Sequence, residues 1–102
     1  MVLAEFSIFP MDKGESVSAY VARAVDIVDR SGLPYKLGPL GTCIEGTWEQ
    51  VMAVIKACYE DLDRDCNRIS CTIKIDARKN HPAALDSKVQ SVQKRLKRPL
   101  KT

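Results

Sequence analysis

Histidine is almost missing from this 102-residue chain, glycine and proline are held to five each, and aromatic residues make up only 6% of it. Each shortage excludes something. The one histidine, His81, stands beside Pro82 in a polar stretch far from any nucleophile in sequence, so neither a Cys–His nor a Ser–His–Asp arrangement is expected. The four cysteines, Cys43, Cys58, Cys66 and Cys71, contain no C-x-x-C pair. A zinc site wants closely spaced thiolates or imidazoles, so no metal is expected, and the cysteines read as reduced thiols packed like small hydrophobes. No apolar run approaches the roughly 20 residues of a membrane span. The segment Pro10-Met11-Asp12-Lys13-Gly14 has a single glycine, too few for a phosphate-cradling loop, although Lys13 and the helix start after it could attract an anion. A protein that binds without catalysing, and without a cofactor, is the expectation.

What is present suits one globular domain over residues 1–102, with a short basic tail from about 97: 45% of residues are hydrophobic and 28% charged. The opening MVLAEFSIFP lacks a basic leader and carries Glu5, so it reads as a first strand and not a signal peptide, and a cytoplasmic protein is expected. Net charge is +3, but it is unevenly spread. Lys88, Lys94, Arg95, Lys97, Arg98 and Lys101 fall among the last fifteen residues with no acid, so the preceding residues carry −3. Such a tail either complements the negative end of a helix or touches an acidic surface or nucleic acid.

Periodicity orders the elements. Over Val2–Phe9, Val2, Ala4, Phe6 and Ile8 share one strand face and Leu3, Glu5, Ser7 and Phe9 the other. Ser16 is placed to cap a helix whose apolar side holds Val17, Tyr20, Val21, Ala24, Ile27 and Val28; Gly32 suits its left-handed end and Pro34 stops it. Tyr35 to Gly46 reads as two short strands about a Gly-Pro bend. A second helix runs from Trp48 to about Asp65 and buries Val51, Met52, Ile55, Cys58, Tyr59 and Leu62, with acids near its end that predict fraying. Ile69, Cys71, Ile73 and Ile75 alternate with Ser70, Thr72, Lys74 and Asp76, the clearest strand. Pro82 opens a last helix with Leu85, Val89, Val92 and Leu96 in line. The order is that of the α+β, ferredoxin-like β-α-β-β-α-β sheet with helices on one face and an extra C-terminal helix. Its uncovered sheet face invites a partner subunit, another layer or a ligand.

The densest local signal is the corner where Glu45 and Gly46 meet Thr47-Trp48-Glu49-Gln50. Thr47 and Gln50 fit a capping box, and Glu45 and Trp48 then flank a strand-to-helix turn where ordered side chains could face a ligand or simply lie at the surface.

The chain also resembles the small thiamine-binding (YkoF-like) proteins, long classed as an uncharacterised protein family. The resemblance runs through Pro10, Ser16-Val17-Ser18-x-Tyr20-Val21, Ser31-Gly32-Leu33-x-Tyr35, Gly41-Thr42-x-Ile44-Glu45-Gly46 with Trp48, Lys74-Ile75-Asp76-x-Arg78 and Lys88-Val89-x-Ser91-Val92. Asp12 stands where the family usually has a second glycine. The resemblance implies a dimer or, more often, a tetramer that binds thiamine or its hydroxymethylpyrimidine half, with no established catalysis. On that basis Thr42 or Glu45 could meet the exocyclic amine, and Trp48 or Tyr20 could stack on the pyrimidine or hold the thiazolium. Ser16 and Ser18 could cap or bind. Lys74, Asp76 and Arg78 could line a pocket or form an intersubunit ion-pair network. Two other readings stand beside this one. One is a structural or regulatory oligomer that senses another metabolite. The other, an RNA-binding module, lacks base-stacking aromatics on the third strand.

Overall fold

Strand β1 (Val2–Pro10) forms the spine of a four-stranded antiparallel sheet ordered β2-β3-β1-β4, in a computed structural model that describes residues 1–81 and 84–102. The remaining elements follow in the expected order: α1 (Ser18–Arg30), β2 (Tyr35–Leu37), β3 (Thr42–Gly46), α2 (Trp48–Asp63), β4 (Ile69–Ala77) and α3 (Ser87–Leu96). Alternation sends Val2, Ala4, Phe6 and Ile8 to one face, where they are buried with Ile44 beneath Ala24 and Val28 of α1 and Val51, Ile55, Cys58 and Leu62 of α2. Burial of this kind contributes roughly 1.5–3 kcal/mol per large side chain and dominates the folding drive. The fold is the ferredoxin-like one.

Local chemistry sets the ends of α2 and α1. The Thr47 hydroxyl accepts from the Gln50 N–H at 3.2 Å and the Gln50 side chain accepts from the Thr47 N–H at 2.9 Å, a complete capping box. Gly32 leaves α1 at φ +78°, a left-handed conformation that glycine adopts without strain. Ser16, by contrast, does not cap α1: Val17 occupies the N-cap, with no side-chain hydrogen bond, and its carbonyl accepts from Tyr20 and Val21. α2 ends at Asp63, short of Asp65, and two of the acids near its end have a partner. Arg23 of α1 reaches Asp61 and Asp65, each at 2.9 Å, and its guanidinium ties the two helices where repulsion would otherwise loosen the turn. Tyr59 is 47% exposed instead of buried, and Val54, on another side of α2, is buried although it was not expected to be.

Asp12 has a definite role. Its carboxylate accepts from the Asn67 N–H at 2.8 Å and the Arg68 N–H at 3.4 Å, which fastens the end of β1 to the entry of β4. The first of these bonds is the largest cause of its lowered pKa. Asp65, held by Arg23, and Asp76, held by Lys88, are lowered as well. A carboxylate whose folded pKa lies below its unfolded value of about 3.9 stabilises the fold above that value. That contribution is lost as pH falls through the depressed folded pKa. Urea denaturation between pH 6 and pH 2 is therefore expected to show stability falling below about pH 4, with a shallower fall in Asp12→Asn.

The last helix differs most from expectation. It begins at Ser87, later than Pro82, which lies outside the described residues. Among the described residues it buries none of its own side chains, and Val92 and Leu96 are about half exposed. The Cα radius of gyration of 15.0 Å exceeds the roughly 13 Å of a compact chain this long, as a projecting helix requires.

Candidate functional site

Strand lengths create an apolar cavity. β1 pairs with β4 along all nine residues but with β3 only from Val2 to Phe6, because the β2–β3 bend turns the chain away at Gly41. The bend is held by the Gly38 N–H donating to Gly41 O at 2.8 Å, and Gly41 passes so close to Phe6 O that a β-carbon there would sit at 3.2 Å. The resulting gap lies between Ile8, the bend and α1. It is a cavity of about 240 Å³ lined mainly by apolar side chains, among them Val17, Val21, Val25, Leu37 and Leu40.

Backbone alternation gives this apolar cavity a polar edge. Glu45 N donates to Pro34 O and Gly38 N to Gly41 O, so the odd-numbered residues of β3 face β2 and the even ones face β1. Across the register, the even residues of β1 turn their N–H and C=O toward β3. For Ile8 no β3 residue remains opposite, so its N–H and C=O are presented side by side at the gap. Thr42 adds a hydroxyl. It lines the same cavity, is 6% exposed, and makes no side-chain hydrogen bond among the described residues. A donor, an acceptor and a hydroxyl converging on an apolar slot make a recognition site for a flat, polar-edged ring.

An open shelf continues outward from the cavity. It shares Val21, Val25 and Leu37 with the cavity and carries Ser18, Asp26, Asp29 and Tyr35. Asp29 accepts from the Tyr35 hydroxyl at 2.6 Å, and this bond is the largest cause of the raised Tyr35 pKa. Asp26 pairs with Arg30 at 3.1 Å.

The structure brings only part of the expected set together. Thr42 lines the cavity and Ser18 stands on the shelf, while Ser16 is exposed just before α1. Tyr20 packs against the core with Arg23 5.6 Å over its ring, outside the cavity lining. Trp48 is 52% exposed at the start of α2. Within the chain Thr42 and Glu45 are not brought together, because residues 42 and 45 of one strand point to opposite faces. Glu45 lies on the open face, 1% exposed, where its carboxylate accepts from the N–H groups of Ala84 and Leu85. Beside it, Asp76 pairs with Lys88, and the Arg78 Nη1 lies 3.0 Å from His81 Nε2. The crevice among them holds about 10 Å³, room for no more than one water. Lys74 is exposed on the same face.

Ile8 was missed because its contribution is backbone; the available signal was a first strand four residues longer than the third. No group of three candidate metal-binding side chains occurs among the described residues. Burial raises the Cys43, Cys66 and Cys71 thiols and pushes Cys58 to about 11, so none is poised as a thiolate. No described helix is long and apolar enough to cross a membrane.

Comparison with known proteins agrees with this architecture. A UPF0045 protein of Mycobacterium tuberculosis is 39% identical over 99 residues, covering 96% of this chain and 97% of its own. The crystal structure of a hypothetical protein from Methanocaldococcus jannaschii superposes with a TM-score of 0.83 at 31% identity, over 89% of this chain and 94% of that one. A Thermotoga maritima protein assigned provisionally to thiamine biosynthesis or salvage shares the fold, with a TM-score of 0.77 at 23% identity over 89% and 97% of the two chains. The family model described as thiamine-binding protein matches residues 4–93, and the chain belongs to that family.

Proposed function

We propose that the protein is a non-catalytic, cytoplasmic binder of thiamine or its hydroxymethylpyrimidine half, working as a homo-oligomer, and that the aminopyrimidine ring enters the cavity beside Ile8. The observation that carries this reading is the backbone edge of Ile8, which has no strand partner on that side among the described residues, in an otherwise apolar slot. An aminopyrimidine has an amine donor adjacent to a ring-nitrogen acceptor. That edge is complementary to one residue's C=O and N–H pointing the same way. The ring nitrogen takes the Ile8 N–H, the amine donates to the Ile8 carbonyl, and the Thr42 hydroxyl serves the remaining polar position. At about 240 Å³ the cavity is smaller than usual ligand sites, so it takes one ring and leaves the second outside. The thiazolium then lies over the shelf with Asp26 and Asp29, where a cation is favoured and an added phosphate is repelled.

Calorimetric titration tests this. Wild type is expected to bind thiamine and hydroxymethylpyrimidine, and thiamine more tightly than its phosphate esters. Thr42→Val keeps the shape and removes one hydrogen bond, which should weaken binding about 2- to 10-fold. No binding of either compound at millimolar concentration, checked by NMR, rejects the proposal.

A further inference from the structure

We propose that α3 and the turn after it lie on the surface of a bilayer rich in anionic phospholipid, with Val89, Val92, Leu96 and Leu100 at the acyl boundary and the surrounding cations among the headgroups. The helix stands apart from the rest of the chain. No helix or strand packs substantially against it, and its ties to the sheet gather at its start: Glu45 with the amides of Ala84 and Leu85, Asp86 with Lys36, and Lys88 with Asp76. A ten-residue helix has little stability of its own in water and ordinarily depends on packing of an apolar face. Such a face is present on α3, and none of its residues is buried among the described residues.

Val89, Val92 and Leu96 share one side of α3 through spacings of three and four. The chain then reverses. Lys97 takes a left-handed conformation at φ +59°, and the Arg98 N–H donates to Gln93 O at 3.3 Å, closing a Schellman turn. The Leu100 N–H donates to Gln93 Oε1 at 2.7 Å, and Gln93 stands one turn from both Val89 and Leu96. The turn thus brings Leu100 back to the same ridge. Val92, Leu96 and Leu100 are all exposed.

Charge identifies what covers the ridge. No acid follows Asp86, and Lys94, Arg95, Lys97, Arg98 and Lys101 are exposed with no carboxylate partner among the described residues. Cations so concentrated attract an anionic surface, and the aliphatic side chains among them decide which one. A nucleic acid offers phosphates but no apolar bed for the ridge, and no aromatic residue follows Tyr59 to stack on a base. A bilayer surface offers anionic headgroups at the level of the lysines and arginines, with hydrocarbon just beneath. Ten residues at 1.5 Å each make a helix about 15 Å long, too short to cross the roughly 30 Å hydrocarbon core, so α3 lies flat. Each basic side chain near such a surface is worth about a fivefold gain in affinity, which makes attachment reversible and salt-dependent. The helix is tied to the open face of the sheet through Glu45 and Asp76, whereas the cavity beside Ile8 lies on the helix face, so attachment does not involve the ligand site.

Vesicle sedimentation of the full chain tests the assignment. The protein should pellet with phosphatidylcholine vesicles holding about 30% phosphatidylglycerol, stay in solution with pure phosphatidylcholine, and be released at about 0.5 M salt. Lys94→Gln/Arg95→Gln/Lys97→Gln/Arg98→Gln should weaken binding more than about 100-fold. Val92→Ser/Leu96→Ser keeps every charge and should weaken it about 10-fold. All these positions are exposed and off the core, so circular dichroism should show the fold retained. In Trp48→Phe/Leu96→Trp the single indole should shift its emission to the blue on the anionic vesicles alone. No pelleting with anionic vesicles at millimolar lipid overturns the assignment. So does a serine variant that binds like wild type, or an indole whose emission does not move. A short RNA bound more tightly than the vesicles in the same buffer overturns it in favour of nucleic acid. A blue shift that grows with protein concentration in the absence of vesicles overturns it in favour of a second copy.

Discussion

Glu45→Ala is expected to lower stability by about 1.5–3 kcal/mol and to free the C-terminal arm while leaving ligand affinity in the α1 cavity unchanged. The fully buried carboxylate accepts two backbone N–H groups, those of Ala84 and Leu85, just before α3. A buried donor left without its acceptor costs free energy, and alanine leaves both donors without one. The loss stays below the sum of two such bonds because residues 84–88 lie at the periphery and can detach, giving their amides to water. Two ion pairs oppose detachment, Lys36 with Asp86 and Lys88 with Asp76, but both are substantially exposed. Hydrogen exchange separates local from global effects. Amides of Ala84, Leu85 and α3 should exchange at nearly unfolded rates in Glu45→Ala, whereas those of β1 and α2 keep most of their protection. Glu45→Gln retains one acceptor oxygen and should fall between. An arm as protected in Glu45→Ala as in wild type would show that the carboxylate does not hold it.

Much of the fold was legible in the sequence because period-two and period-3.6 patterns seldom coexist. The alternation from Ile69 to Asp76 admits only a strand, and Thr47 with Gln50 marks the start of α2. Tyr59 was misplaced because four-residue spacing from Ile55 says which way it leans, not whether a neighbour covers that side; no strand lies beyond edge strand β4 among the described residues. The acids at the end of α2 have a partner that local sequence does not show, Arg23, nearly forty residues earlier. The candidate site was half legible. Thr42 and Glu45 both stood out chemically, and counting parity along one strand separates them to opposite faces. Glu45 looked like a ligand group because a carboxylate at a corner has no visible partner in sequence; its partners are backbone amides of residues 84 and 85. The Ile8 edge exists only through the unequal pairing of β1 with its two neighbours.

Val21→Trp is expected to weaken thiamine and hydroxymethylpyrimidine binding more than 100-fold, more than about 2.7 kcal/mol, with little change in stability. Val21 lies on α1 where the cavity opens onto the shelf, and it lines both. It is half-buried, so a larger side chain can turn into the adjoining space without displacing the closed core around Ala24 and Val28. An indole in that position fills a slot sized for one ring and denies ligand the Ile8 backbone edge. The lost affinity then includes the apolar burial of the ring as well as its paired hydrogen bonds. Val21→Ala provides the opposing case: it enlarges the mouth, removes little contact, and should change affinity by less than about 10-fold. Titration of both variants, with thermal unfolding run alongside, separates occlusion from misfolding. If Val21→Trp is folded and binds like wild type, the ligand does not enter beside Ile8. If it also binds wherever Glu45→Ala fails to, the recognition surface is the open sheet face and not the α1 cavity.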